Sequence, residues 1–159
     1  MKDVDALIRD LDRPLAGVIH SAGVLDDGTL PKLTPEMFRR VYAPKVDGAI
    51  NLHRATLDLD LDLFVLFASA SGVLELPGQG NYSAANAFLD ALAHHRRAMH
   101  LPALSIDWGA WAEVGLAAAD EKRGARLMNQ GLTSMQPGDA ATAVGRALAM
   151  DLPNRKSVM

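Results

Sequence analysis

The sequence predicts an α/β fold built on a parallel sheet, and three observations carry that prediction. Short apolar runs without polar alternation recur at residues 15–20, 63–67 and 104–106, as expected for strands covered on both faces. Helix-patterned stretches separate them, and a glycine-rich or polar segment follows each run. Strand, helix, strand, helix, strand, helix in that order builds a right-handed α/β layer. Ligands of such sheets sit beyond the carboxyl ends of the strands, so residues 20–28, 69–81 and 107–115 are expected to converge on one edge.

Each element has its own signal. Residues 3–12 place Val4, Leu7, Ile8 and Leu11 at helical spacing with charges between them, and Arg13-Pro14 ends that helix. The strand at 15–20 is bounded by Pro14 and Gly23. Thr34-Pro35-Glu36 supplies an N-cap, a proline at the first helical position and an acid in the first turn. The helix it opens turns Phe38, Val41 and Ile50 inward, with a kink expected at Pro44. Residues 63–67 are the clearest buried strand. Residues 68–81, with Gly72, Pro77, Gly78 and Gly80, are a loop at its carboxyl end. A long helix is expected from about Tyr82 to Met99, a third strand at 104–106, irregular or lid-like chain over 107–130, and a final helix over 137–150.

Composition narrows the function. A chain of 159 residues is about one average domain, and 49% hydrophobic with 22% charged residues excludes disorder. Sixteen basic against nineteen acidic residues leave a net charge of −3, and only 5% are aromatic, so no nucleic-acid surface is expected. No apolar run is long enough to span a bilayer, and Met1-Lys2-Asp3 opens no signal peptide, so no membrane partner is expected. Without cysteine there are no disulfides or thiolate metal sites, which fits any compartment and tilts the reading toward the cytoplasm. His20, His53 and His100 have no acidic or histidine partner at ligand spacing, and no metal site is proposed. His94 and His95, with Arg96 and Arg97, read as a solvated helix face.

The chemistry-bearing residues cluster around one tyrosine. Asn86 follows Tyr82 by four positions, which puts both on one helix face, and Ser69 faces them from the strand end. A phenol with a reference pKa of about 10 needs a neighbouring cation to work near neutrality. Lys45, directly after Pro44 on the neighbouring helix, is that cation.

These residues stand inside longer stretches: His20-Ser21-Ala22-Gly23-Val24-Leu25-Asp26-Asp27, Pro44-Lys45-Val46-Asp47-Gly48-Ala49, Phe67-Ala68-Ser69, Pro77-Gly78-Gln79-Gly80-Asn81-Tyr82, Asn86-Ala87-Phe88-Leu89-Asp90 and Asp107-Trp108-Gly109. Over nearly its whole length the chain resembles the ketoreductase domain of modular type I polyketide synthases, in the short-chain dehydrogenase/reductase superfamily. Classical members carry the lysine four residues after the tyrosine. Polyketide ketoreductases put asparagine there and lysine on the preceding helix, as Asn86 and Lys45 stand here. The resemblance implies a Rossmann-like doubly wound parallel sheet and NADPH-dependent reduction of a β-ketoacyl thioester on an acyl carrier protein. It implies Tyr82 as proton donor, Ser69 as second hydrogen-bond donor to the carbonyl oxygen, and Lys45 as the group that lowers the tyrosine pKa and holds the nicotinamide ribose. Asn86 would position Lys45 and a relaying water. Ala22, Gly23, Trp108 and Gly109 would line the cofactor, together with Lys45 and Tyr82.

Leu25-Asp26-Asp27 is similar to the fingerprint of B-type domains, which give the D-configured hydroxyl, and Leu74 stands where A-type domains carry tryptophan. Asp26 and Asp27 can also simply form a turn before Gly28. Ala84 replaces the proline many B-type domains carry, and Ala68 the first serine of the family's usual pair. The first three strands and the Gly-x-Gly-x-x-Gly turn that receives the cofactor pyrophosphate are lacking. The chain is therefore expected to be a partial domain, 1–159, truncated at both ends, whose first strand presents an apolar edge. Three functions follow: a reductase whose nucleotide-binding half lies elsewhere in a synthase, a noncatalytic or docking remnant unable to bind NADPH, and a reductase of small free ketones. The lysine–asparagine exchange disfavours the last.

Overall fold

The computed structural model describes residues 2–74, 76–112 and 133–151. The chain divides into two compact units, Met1–Asp107 and Trp108–Met159.

In the first unit the order is α1 (Lys2–Arg9), β1 (Gly17–His20), α2 (Pro35–Tyr42), α3 (Gly48–Ala55), β2 (Leu63–Ser69), α4 (Gly80–Ala98) and β3 (Leu104–Trp108), the last residue of which opens the second unit. The three strands form one sheet in the order β1-β2-β3. β1 runs parallel to β2, with Gly17 opposite Leu63 and His20 opposite Leu66. The parallel α/β layer expected from the apolar runs is therefore present, with strand starts and ends shifted by one or two residues.

Two apolar clusters hold it together. Phe64, Leu66 and Ala68 of β2 pack with Leu89, Leu92 and Ala93 of α4 in the larger one. Each large aliphatic or aromatic side chain fully removed from water there contributes about 1.5–3 kcal/mol. Val41 of α2, Val46 and Ala85 form the second, with Tyr42, Ile50 and Tyr82 packed against it. Thr34 caps α2 as expected, its Oγ1 accepting from Met37 N at 3.4 Å, and Pro35 takes the first turn.

Four expectations are corrected. β1 is not covered on both faces: Val18 and His20 turn to the buried face, whereas Ile19 on the other face is 58% exposed. The break at Pro44 is more than a kink, since Ala43–Asp47 form a π-turn between α2 and α3. Proline lacks the N–H that would continue the helical ladder, and the chain accommodates an extra residue there. The supposed solvated face of α4 holds one fully buried cation: His94, His95 and Arg97 are exposed, whereas Arg96 is not. The loop expected at 68–81 contains the last two strand residues and a 3₁₀ turn, Ala70–Gly72, and α4 begins at Gly80.

In the second unit Trp108 meets Trp111 edge-on, with ring centroids 5.3 Å apart. Trp111 bridges Met135, and α5 (Pro137–Asp151) follows, matching the expected final helix. Most of the lid-like stretch expected over 107–130 lies outside the described residues. Among the described residues no helix is long and apolar enough to cross a membrane, and no cluster of metal-ligating side chains occurs.

Candidate active site

The site is built at the carboxyl ends of β1 and β2, where the polar segments were expected to meet. Lys45 lies in the π-turn and is buried, with 3% of its surface exposed. Its Nζ donates to the Phe67 carbonyl of β2 at 2.9 Å and lies 5.3 Å from the centroid of the Tyr82 ring. The two residues, 37 positions apart in sequence, are thus brought together. Burial pushes the lysine pKa down to about 8, opposed in part by the Asp90 carboxylate. Losing water destabilises the ammonium more than the amine. A cation held against the Tyr82 ring favours negative charge on the phenol oxygen.

Tyr82 is half-buried in the first turn of α4. Asn86, one helical turn later, is fully buried. Its Nδ2 donates to the Tyr82 carbonyl at 2.8 Å and to Ser71 Oγ at 3.4 Å, while its Oδ1 is buried without a hydrogen-bond partner. Ser69 Oγ accepts from Ser71 N at 3.2 Å and closes β2 into the 3₁₀ turn. The hydroxyl of Ser69 and the tyrosine therefore belong to one connected network through Ser71 and Asn86. Asn86 is tied to the tyrosine backbone and to Ser71.

The loop after β1 borders the lysine. Gly23 lies so close that an added Cβ would stand 3.1 Å from Lys45 Cε, so a side chain there would push the lysine by a few tenths of an ångström. Ala22 is exposed and Leu25 half-buried. Asp26 pairs with Arg40 of α2 at 2.6 Å, and Asp27 accepts from Gln79 Nε2 at 3.2 Å. Asn81, fully buried, donates from Nδ2 to the Asp26 carbonyl at 2.9 Å, while its Oδ1 accepts from Tyr82 N at 2.8 Å. Gln79 and Asn81 thus stitch the Leu25-Asp26-Asp27 loop to the start of α4. Sequence reading had quoted them within a stretch without giving them a role. Two polar side chains just before the tyrosine, in a segment of glycine and proline, were the available signal. Trp108 and Gly109, expected to line a cofactor, belong to the second unit, where Trp108 is buried.

The comparisons with known proteins agree with this geometry. The family model described as "KR domain" matches residues 1–113. The chain is 53% identical over 139 residues to polyketide synthase GfsB of Streptomyces halstedii, covering 87% of this chain and 2% of that protein. It is 49% identical over 142 residues to a phenolphthiocerol synthesis polyketide synthase type I of Mycobacterium bovis, covering 88% and 7%. The chain thus spans only a small part of the curated relatives it matches. Among solved structures, an A1-type ketoreductase aligns with a TM-score of 0.91 at 44% identity, over 94% of this chain and 32% of that one. The ketoreductase from the first module of phoslactomycin biosynthesis in Streptomyces sp. HK803 aligns at 0.85 with 35% identity, over 97% and 36%. With the lysine on the helix preceding the tyrosine helix and asparagine one turn beyond the tyrosine, the chain belongs to the KR-domain family, the ketoreductase domains of polyketide synthases, with their Rossmann-like fold.

Proposed function

We propose that this chain carries the catalytic groups of an NADPH-dependent β-ketoacyl reductase, acting on a thioester held by an acyl carrier protein within a larger, cytoplasmic polyketide synthase. In this reading residues 1–159 are part of one ketoreductase domain whose nucleotide-binding half lies elsewhere in the parent protein. The observation that carries the proposal is the buried Lys45 ammonium 5.3 Å from the Tyr82 ring.

The residues present fit the nicotinamide end of such a cofactor. Gly23 keeps its backbone free of a side chain beside Lys45, and Tyr82 and Lys45 offer a hydroxyl and an ammonium to a ribose. Ala22 is the further proposed lining residue of the first unit, and for Trp108 and Gly109 the proposal rests on the resemblance alone. The pyrophosphate needs a glycine-rich turn that this sequence does not contain. When bound, NADPH supplies the hydride to the carbonyl carbon.

The chain's own groups act on the carbonyl oxygen. Tyr82 gives it the phenolic proton, and Ser69 donates a second hydrogen bond to the same atom. Negative charge grows there as the reaction proceeds, so both contacts strengthen in the transition state. The phenolate left on Tyr82 faces the Lys45 ammonium, which lowers the cost of releasing the proton. Asn86 fixes the first turn of α4 through the Tyr82 carbonyl and so holds the phenol in place.

Leu25, Asp26 and Asp27 are the proposed stereocontrol residues, in the B-type sense. The contacts of Asp27 to Gln79 and of the Asp26 carbonyl to Asn81 hold that loop beside the tyrosine turn and support its place at the site. Two similar solved structures are of A-type ketoreductases, so product configuration is the measurement that decides it.

The test compares the 159-residue chain with a protein lengthened at its N-terminus through the glycine-rich turn. The lengthened protein is expected to bind NADPH and reduce a β-ketoacyl carrier thioester far faster than a small free ketone, whereas the short chain binds little. Tight, saturable NADPH binding by the short chain, read by nucleotide fluorescence, overturns the division into halves. A lengthened protein that neither binds NADPH nor reduces the thioester favours the noncatalytic remnant instead.

A further inference from the structure

The lysine is held at two points, and only one of them belongs to the site described so far. Its ammonium donates to Phe67 O at the end of β2. Its main-chain carbonyl lies 3.2 Å from Nε2 of His20, the last residue of β1. A carbonyl oxygen only accepts, so Nε2 carries the proton in this contact. His20 is 5% exposed, and the imidazole edge presses on the π-turn, where a Cβ added at Gly48 would stand 3.2 Å from Cε1. Adjacent strands thus hold the two ends of one residue.

The π-turn explains why the main-chain end needs holding. Gly48 N–H reaches back to Ala43 O, five residues earlier, and shares its proton with Lys45 O, so neither bond has regular α-helical spacing. Pro44 has no N–H to contribute. Relaxing the turn by one residue toward a continuous α-helix rotates the chain by about 100° and carries the lysine off the tyrosine face.

We infer that His20 is a positioning residue for Lys45: its Nε2–H anchors the lysine carbonyl and so fixes the π-turn in the register that lays the ammonium against Tyr82. Burial holds the imidazole below its ordinary pKa, aided by the Lys45 charge, so it stays neutral in the tautomer the contact requires. The charged or titratable groups acting on Lys45 itself are His20 from β1, Asp90 and Tyr82 from α4. The inference rests on the reading of Lys45 and Tyr82 as the reducing pair.

Two substitutions separate the hydrogen bond from the space the ring fills. His20→Gln keeps an N–H near the Nε2 position, while His20→Leu keeps bulk and removes the donor. The first readout is the titration of the Lys45 amine in the 159-residue chain, followed by NMR of its ¹³C-methylated form. In the parent and His20→Gln the amine is expected to titrate near pH 8, half deprotonated there. In His20→Leu it moves up by about one unit or more, so the free amine at pH 8 falls to about one tenth or less. The second readout is the pH profile of kcat in the lengthened protein, whose basic limb follows the same order. Should His20→Leu fail to fold, Gly48→Ala, which crowds the ring from a helix position that accepts alanine, is expected to shift the amine in the same direction by less. An unmoved amine in His20→Leu and Gly48→Ala, or equal shifts in His20→Leu and His20→Gln, overturns the role. A lengthened parent that reduces no thioester defeats the reductase reading alone, because the amine titration still decides the role of His20.

Discussion

Among the described residues of the first unit two cations lie buried, Lys45 at 3% exposure and Arg96 at 0%, and their surroundings differ in kind. Desolvation lowers both, the lysine to about 8 and the arginine to about 10. Arg96 spends two of its nitrogens on structure, Nε on the Pro102 carbonyl at 3.0 Å and Nη1 on His53 Nδ1 at 3.1 Å and on Thr56 Oγ1 at 3.4 Å, while its buried Nη2 meets no partner among the described residues. Its guanidinium plane lies 3.8 Å from the centroid of the Phe64 ring. It ties the end of α4 to α3 and to the chain entering β3, and it remains charged near neutrality. Lys45 meets one carbonyl and the face of a phenol, and it titrates within reach of physiological pH. Burial and a lowered pKa are shared by both, so neither marks a site. What distinguishes the lysine is a neighbour that can lose a proton.

The sharpest test of this contrast removes that neighbour's proton. Tyr82→Phe in the lengthened protein is expected to leave NADPH binding nearly intact and to lower turnover by on the order of 10² or more. Equal turnover in both proteins removes Tyr82 from the chemistry. Arg96→Ala should cost stability instead, about 2–4 kcal/mol in urea unfolding, since it empties the space over Phe64 and strands the Pro102 carbonyl. Arg96→Met, which retains the apolar stem, should recover part of that loss. If Arg96→Ala instead abolished turnover at unchanged stability, the division between the two cations would be mistaken.

Lys45→Met runs the other way. The folded-state pKa lies below that of the unfolded chain, so the unfolded state binds the extra proton between about pH 8 and about 10.5. Stability of the parent therefore rises with pH through that window, and at pH 7 the charged, buried amine costs stability. The methionine variant should be more stable at pH 7 by about 1–2 kcal/mol, lack that rise, and lose reductase activity. The smallest effect belongs to His53, whose pKa is lowered by partial burial and by the charges of Arg96, His95 and Arg54. Its contribution is complete above about pH 6.5 and fades as acid protonates it. His53→Asn should flatten a shallow acid slope in the unfolding curve while turnover stays unchanged.

Much of this was legible before any coordinates. The apolar runs located the three strands, the Thr34-Pro35 cap located α2, the spacing put Tyr82 and Asn86 one turn apart on α4, and Lys45 does lie beside the Tyr82 ring. Arg96 was misread because two histidines and two arginines in a row look like a polar face. Yet it follows Leu89 by seven, Leu92 by four and Ala93 by three, which is the apolar stripe of the helix. The π-turn could not be read, since a proline announces interruption without fixing how many residues the interruption holds. The grip of His20 on Lys45 O, across 25 positions, depends on how β1 stands beside that turn, and no local pattern encodes it.

The loop between β1 and α2 is fastened mainly from far away: Gln79 reaches Asp27 across 52 positions and Asn81 reaches Asp26 across 55. Closing spans of that length is slow compared with winding a helix, so these knots tie late. A nascent chain that has emerged only as far as β2 leaves the Leu25-Asp26-Asp27 loop slack and open to proteases. The stereocontrol proposed for that loop would thus be among the last properties the polypeptide acquires as it matures.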